Sequence, residues 1–121
     1  MRQILLRVLA AITAYLSTVG ALAHAFLDRA MPPVGATVAA SPTEIRLFFT
    51  EAIEPRFSGI ELATIDGRPV KTGPAAVEPR DQMQFVLPVP ALPSDRYKVT
   101  RHVVSVDSHP TQGDFTFEIK P

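Results

Sequence analysis

Beyond position 40, hydrophobic residues recur at every second position in several short runs. Ile45-Arg46-Leu47-Phe48-Phe49, Ile60-Glu61-Leu62 and Phe115-Thr116-Phe117-Glu118-Ile119 set alternate side chains on opposite faces, the period of a half-buried strand. Gly59 to Ile65 runs into Asp66-Gly67, a pair suited to the positive φ angles of a tight hairpin turn, and Arg68 to Lys71 then reads as the returning strand. Met83 to Leu87, Arg96 to Val106 and Gly113 to Lys120 supply three more. About seven short strands separated by turn residues predict an antiparallel sandwich or small Greek-key barrel.

The prolines support this. All 12 fall after residue 31 and are spread to the C-terminus, a spacing no long helix survives. Proline-rich joins such as Leu87 to Pro93 are brief and flanked by strands, so they read as loops that block edge pairing rather than as linkers. No βαβ unit or glycine-rich phosphate loop is visible.

The first 23 residues follow different rules. Arg2 and Arg7, the apolar stretch Val8 to Leu16 and the small-residue end Ala21-Leu22-Ala23 are the three parts of a secretory signal. Spanning a membrane takes about 20 apolar residues; Arg7 interrupts the run and an A-x-A site ends it, which argues against a retained helix. The expectation is a signal peptide, residues 1–23, cleaved after Ala23. A single exported domain, residues 24–121, then remains. Of 12 basic residues the leader holds Arg2 and Arg7, so the mature chain sets 10 basic against 12 acidic side chains, a net charge of −2. That balance argues against a nucleic-acid partner.

Cysteine is absent. Disulfides, zinc fingers, iron–sulfur clusters, thiolate copper sites and cysteine nucleophiles are thereby excluded, and any metal must be held by nitrogen, oxygen or methionine sulfur.

Cleavage after Ala23 would make one of the three histidines, His24, the first residue. An N-terminal histidine offers its α-amino nitrogen and ring Nδ1 together, closing a chelate ring that no internal histidine can make. The α-amine titrates at only about 7.7–8.0, so a metal displaces its proton readily. Asp107 and His109 flank Ser108, and in an extended segment residues i and i+2 point to one side, so carboxylate and imidazole can converge on the same ion. The amine, two imidazoles and a carboxylate suit tetragonal Cu(II), with zinc the next candidate. Asp-x-His alone is equally a loop with a surface aspartate and a hydrogen-bonded histidine; its pairing with a processed N-terminal histidine favours the metal.

These residues carry a resemblance to the CopC family of periplasmic copper-binding proteins. It runs through His24-Ala25 after the leader, Pro33-x-Gly35, Leu47-x-Phe49-x-Glu51, Tyr97-x-Val99, Val104-Ser105-x-Asp107-x-His109-Pro110 and Gly113-x-Phe115-x-Phe117. The resemblance covers essentially the whole mature chain and implies an all-β Greek-key sandwich, immunoglobulin- or cupredoxin-like. It also implies one Cu(II) per chain on His24, Asp107 and His109, with Glu51 matching an acidic residue sometimes placed near the metal. Glu51 is equally a solvated carboxylate at a strand end.

Some members of the family add a methionine-rich Cu(I) segment. Here Met31 and Met83 are the methionines left after processing; Met31 precedes Pro32 in a loop, and Met83 is expected to pack in the core. The family usually shows tryptophan where this chain has Arg101. Alternation puts Arg101 on the face of Tyr97 and Val99, so it either finds a carboxylate or twists out to solvent. His102 points the other way and is expected outside the metal site.

Three functions compete. The resemblance implies a periplasmic Cu(II) carrier, not an enzyme, that sequesters copper or passes it to a CopD-type inner-membrane protein. A copper oxygenase would need an open equatorial position; Asp107 fills it, and the chain has no tryptophan for a flat sugar-binding face. A metal-free exported interaction sandwich leaves the placement of His24 unexplained.

Overall fold

The structure, a computed structural model, describes residues 24–121; the expected leader lies outside the described residues. In chain order the strands are β1 (Leu27–Met31), β2 (Thr37–Val38), β3 (Glu44–Phe49), β4 (Gly59–Thr64), β5 (Ala76–Glu78), β6 (Asp81–Pro88), β7 (Asp95–Val104) and β8 (Pro110–Ile119). A single 3-10 turn lies at Pro55–Phe57. The strands form two four-stranded sheets, ordered β1-β3-β6-β5 and β2-β8-β7-β4. Pairing is antiparallel except between β2 and β8. The all-β sandwich expected from the alternation is what the chain forms.

Period two does most of the sorting. Ile45, Leu47 and Phe49 on β3 and Phe85 and Leu87 on β6 are buried from one sheet; Tyr97, Val99, Val103, Phe115, Phe117 and Ile119 are buried from the other. The Tyr97 and Phe117 rings stack with centroids 5.5 Å apart. The Tyr97 hydroxyl donates to the Pro93 carbonyl at 2.6 Å, which satisfies the polar end of a buried ring. Burial, with Asp95 nearby, pushes the Tyr97 phenol above its usual pKa.

On the outer face of the first sheet, Arg46 joins Glu44, Glu78 and Gln84 at 2.9, 2.8 and 2.7 Å. The Arg29 guanidinium covers the Phe48 ring at 3.6 Å. Across the second sheet, the exposed His102 lies over Gly59 of β4, where a Cβ would come within 2.5 Å of the imidazole. As expected, His102 faces away from the core.

Three expectations need correction. The returning strand Arg68 to Lys71 is a single bridge, Ala63 to Pro69, because Pro69 has no N–H to extend a ladder. The turn before it closes with Gly67 donating to the Thr64 carbonyl at 2.9 Å. Gly67, at φ 91, supplies the left-handed residue. Met83 shares the phase of Phe85 and Leu87 but lies beyond the last β3–β6 pair, Phe48 with Gln84, and is 43% exposed rather than in the core. β1, β2 and β5 are additional to the strands read from the sequence. β1 escaped notice because the pairing register shifts between Leu27 and Arg29, which breaks the alternation.

The difference between Met83 and Phe85 is measurable. Phe85→Ala should destabilise the fold by about 3–5 kcal/mol through loss of a fully buried ring, and Met83→Ala by no more than about 0.5 kcal/mol. Urea unfolding midpoints at unchanged m-value report both.

Candidate metal centre

One end of the sandwich gathers the start of the described chain, the end of β3 and the connection from β7 to β8. Ala25 is fully buried there. Its carbonyl accepts from the Thr111 hydroxyl at 2.8 Å, which ties residue 25 to β8. Phe26 is tied to Thr50 after β3: its N–H donates to Thr50 Oγ1 at 3.0 Å, and its carbonyl accepts from the Thr50 N–H at 2.9 Å. Thr50 Oγ1 also lies 3.4 Å from the His24 carbonyl. His24 is therefore held by its backbone neighbours while its side chain stays at the surface.

Asp107 and His109 sit in a turn rather than in the extended segment expected from their spacing. The Ser105 N–H donates to the His109 carbonyl at 3.1 Å and the Ser108 N–H to the Ser105 carbonyl at 2.8 Å. Ser108 adopts φ 74, a left-handed conformation that is uncommon outside glycine. The buried Ser105 hydroxyl donates to Asp107 Oδ1 and accepts from the His109 N–H at 3.1 Å. One hydroxyl thus sets both residues of the Asp-x-His pair.

The side chains converge in pairs. The His24 and His109 rings have centroids 4.9 Å apart, and Phe26 stacks on the far side of His24 at 5.7 Å. His109 Nδ1 lies 3.4 Å from Asp107 Oδ1. That nitrogen is buried and makes no well-formed hydrogen bond. Hydrogen bonding from Ser105, helped by the nearby His109, holds the Asp107 carboxyl below its usual pKa despite desolvation. The carboxylate is therefore ionised at neutral pH, as a ligand must be.

An ionised oxygen, a ring nitrogen lacking a hydrogen-bond partner and a second imidazole alongside are donors that fit a borderline divalent ion. Among the described residues, no three acidic or histidine side chains already close around one point. Glu51 is exposed after β3, and no described hydrogen bond or ion pair links it to His24, Asp107 or His109.

Three supporting residues went unnoticed in the sequence: Ser105, Thr50 and Thr111. Ser105 alone left a signal, because alternation along β7 points its hydroxyl inward, where it needs a partner. Thr50 and Thr111 act on backbone groups more than 20 positions away in the chain, which no local pattern records.

Comparison with known proteins bears on the fold and the family. A family model described as the CopC domain matches residues 27–120. Protein YobA of Escherichia coli is 40% identical over 113 residues, covering 93% of this chain and 91% of that protein. A copper resistance protein C of Escherichia coli is 35% identical, covering 83% of this chain and 84% of its own length. Among solved structures, CopC from Methylosinus trichosporium OB3b superposes with a TM-score of 0.76 at 32% identity, covering 81% of this chain and 95% of that one. PcoC, a methionine-rich copper resistance protein of Escherichia coli, superposes with a TM-score of 0.73 at 34% identity, covering 81% of this chain and 100% of that one. Fold, family model and relatives coincide: this chain belongs to the CopC family, whose members are copper-binding and copper-resistance proteins rather than enzymes.

Proposed function

We propose that this chain is exported, cleaved after Ala23, and binds one Cu(II) through the His24 amine and ring, His109 and Asp107. In this role it sequesters copper in the periplasm or carries it to a CopD-type protein of the inner membrane. The observation that carries the proposal is the meeting of the His24 and His109 rings at 4.9 Å, His24 being the residue that the proposed cleavage would make N-terminal. Asp107, fixed by Ser105 beside His109, supplies the anionic donor.

Cleavage is part of the chemistry. While Ala23 precedes it, the His24 nitrogen is a peptide amide and a poor donor; removal of the leader turns it into an amine that forms a chelate with its own imidazole. With the backbone on both sides of Ala25 already held by Thr50 and Thr111, coordination needs only side-chain adjustment. Glu51 enters the proposal as an outer carboxylate at most.

Purified mature protein should take up one equivalent of Cu(II) with a nitrogen-rich tetragonal spectrum. His109→Ala should weaken binding at least on the order of 100-fold, and Asp107→Asn about 10-fold or more, whereas Glu51→Gln should change it by less than about 3-fold. Competition with a chelator of known affinity measures all three. Uptake indifferent to one extra residue ahead of His24 overturns the role of the amine.

Affinity should also fall steadily from pH 7.5 to pH 5. Protons compete for amine and imidazole nitrogens, which ordinarily titrate near 8 and about 6.5. The Asp107 carboxyl, held low, stays ionised across that window and contributes nothing to the slope. A flat profile in a pH series of chelator competitions counts against nitrogen ligands.

A further inference from the structure

Arg101 is the one inward-facing position of β7 between Tyr97 and Val103 that carries a charge. It pairs with Ile60 of β4 and Gly113 of β8. Its side chain lies across Gly113, where a Cβ would stand 2.7 Å from a guanidinium nitrogen and 2.9 Å from the guanidinium carbon. The missing side chain of Gly113 is what lets the group remain on the inner face. The side chain is partly exposed, and no described ion pair matches it with a carboxylate. Its Nε is buried and without a hydrogen-bond partner. The nearby Asp114 acts on it only at longer range and itself pairs with Lys98 at 3.7 Å. Arginine does not shed its proton under such conditions, so the site keeps a partly desolvated positive charge that Asp114 offsets only from a distance.

Its position relative to the metal centre follows from the ladder. The next inward rung toward the turn pairs Val103 with Thr111. Thr111 is the residue whose hydroxyl holds Ala25 beside His24. Two residues of strand span roughly 7 Å, so the Arg101–Gly113 rung lies on the order of 10 Å from the Thr111–Ala25 contact beside His24. The buried Val103 lies on the rung between them, and a low-dielectric interior transmits charge better than water does.

We propose that Arg101 is a fixed positive charge set behind the candidate copper site, which weakens Cu(II) binding and disfavours Cu(II) relative to Cu(I). The inference rests on the copper-binding role proposed above for His24, Asp107 and His109. Repulsion scales with the charge of the ion, so it is twice as large for Cu(II) as for Cu(I). The ligand set alone would hold Cu(II) tightly; the added charge favours release, which suits a protein that passes its ion on rather than keeping it. Arg101 touches no ligand and is a positioning charge, not part of the coordination.

The test uses mature protein beginning at His24, with Arg101→Met and Arg101→Lys compared for Cu(II) affinity by chelator competition and for the midpoint potential of the bound copper. Arg101→Met should bind Cu(II) about 3- to 10-fold more tightly, the range expected of one charge at such a distance in a partly screened interior. Its midpoint potential should fall. Arg101→Lys, which keeps the charge, should stay close to the wild type in both. Should Arg101→Met fail to fold, as judged by circular dichroism, Asp114→Asn probes the same balance from an exposed position: removal of the offsetting carboxylate should weaken Cu(II) and raise the potential. Unchanged or weaker Cu(II) binding by folded Arg101→Met overturns the proposal, as do equal changes in the Met and Lys variants, which would mean shape and not charge. With Asp114→Asn as the readout, unchanged affinity and potential overturn it. Wild-type protein that takes up no Cu(II) would instead refute the binding role itself.

Discussion

The ladder between β7 and β8 is the constraint on which the rest depends. It pairs every residue from Asp95 to Val104 with one from Ile119 to Pro110. Because alternation is strict along both strands, this one register decides which side chains reach the core, which reach water, and where the connecting turn projects. A slip by one residue would turn the inward set of one strand, Tyr97 and Val99 or Phe115 and Phe117, out to solvent, so the register is strongly specified by burial. It also fixes the metal end: the turn carrying Asp107 and His109 leaves the ladder at Val104 and re-enters at Pro110, and Thr111, the next residue on β8, reaches across to Ala25.

Arg101 and His102 show how the same ladder accommodates what the hydrophobic pattern alone would forbid. Arg101 points inward and lies over Gly113; His102 points outward and lies over Gly59. In each case the neighbouring strand gives up a side chain so that a large polar group can lie flat. The glycines here act as space rather than as flexible joints. The Arg101 guanidinium, held in that space without a paired carboxylate, is where local packing and the electrostatics of the metal end meet.

Much of this was legible in the sequence, for identifiable reasons. β3, β6, β7 and β8 announce themselves because burial on one face and exposure on the other leave a period of two. β2 and β5, at two and three residues, are too short to show a period, and β1 is broken by its shifted register at Asp28. Met83 misled because it has the right phase at the wrong height, past the point where β3 stops covering it. At the metal end, His24, Asp107 and His109 could be named from residue type, processing and spacing, and the structure sets them side by side. Glu51 matched a motif position, but no described hydrogen bond or ion pair joins it to them. The roles of Thr50 and Thr111 are long-range backbone contacts, which residue spacing cannot encode.

The short parallel pair between β2 and β8 joins the beginning of the domain to its end: Thr37 lies against Glu118 and Val38 against Ile119. Backbone bonds from Gly35 to Thr116 and from Lys120 to Val38 extend the seam. β2 therefore has no partner until the last residues of β8 are present. Such closure is slow and non-local, since the long loop must be brought together before the contacts that reward it can form. For a protein whose proposed metal ligands come from both ends of its sequence, this has a temporal meaning. A chain threaded through a membrane from its N-terminus would still be an unfinished sandwich until Ile119 had crossed, so assembly of the metal end falls to the far side of that membrane.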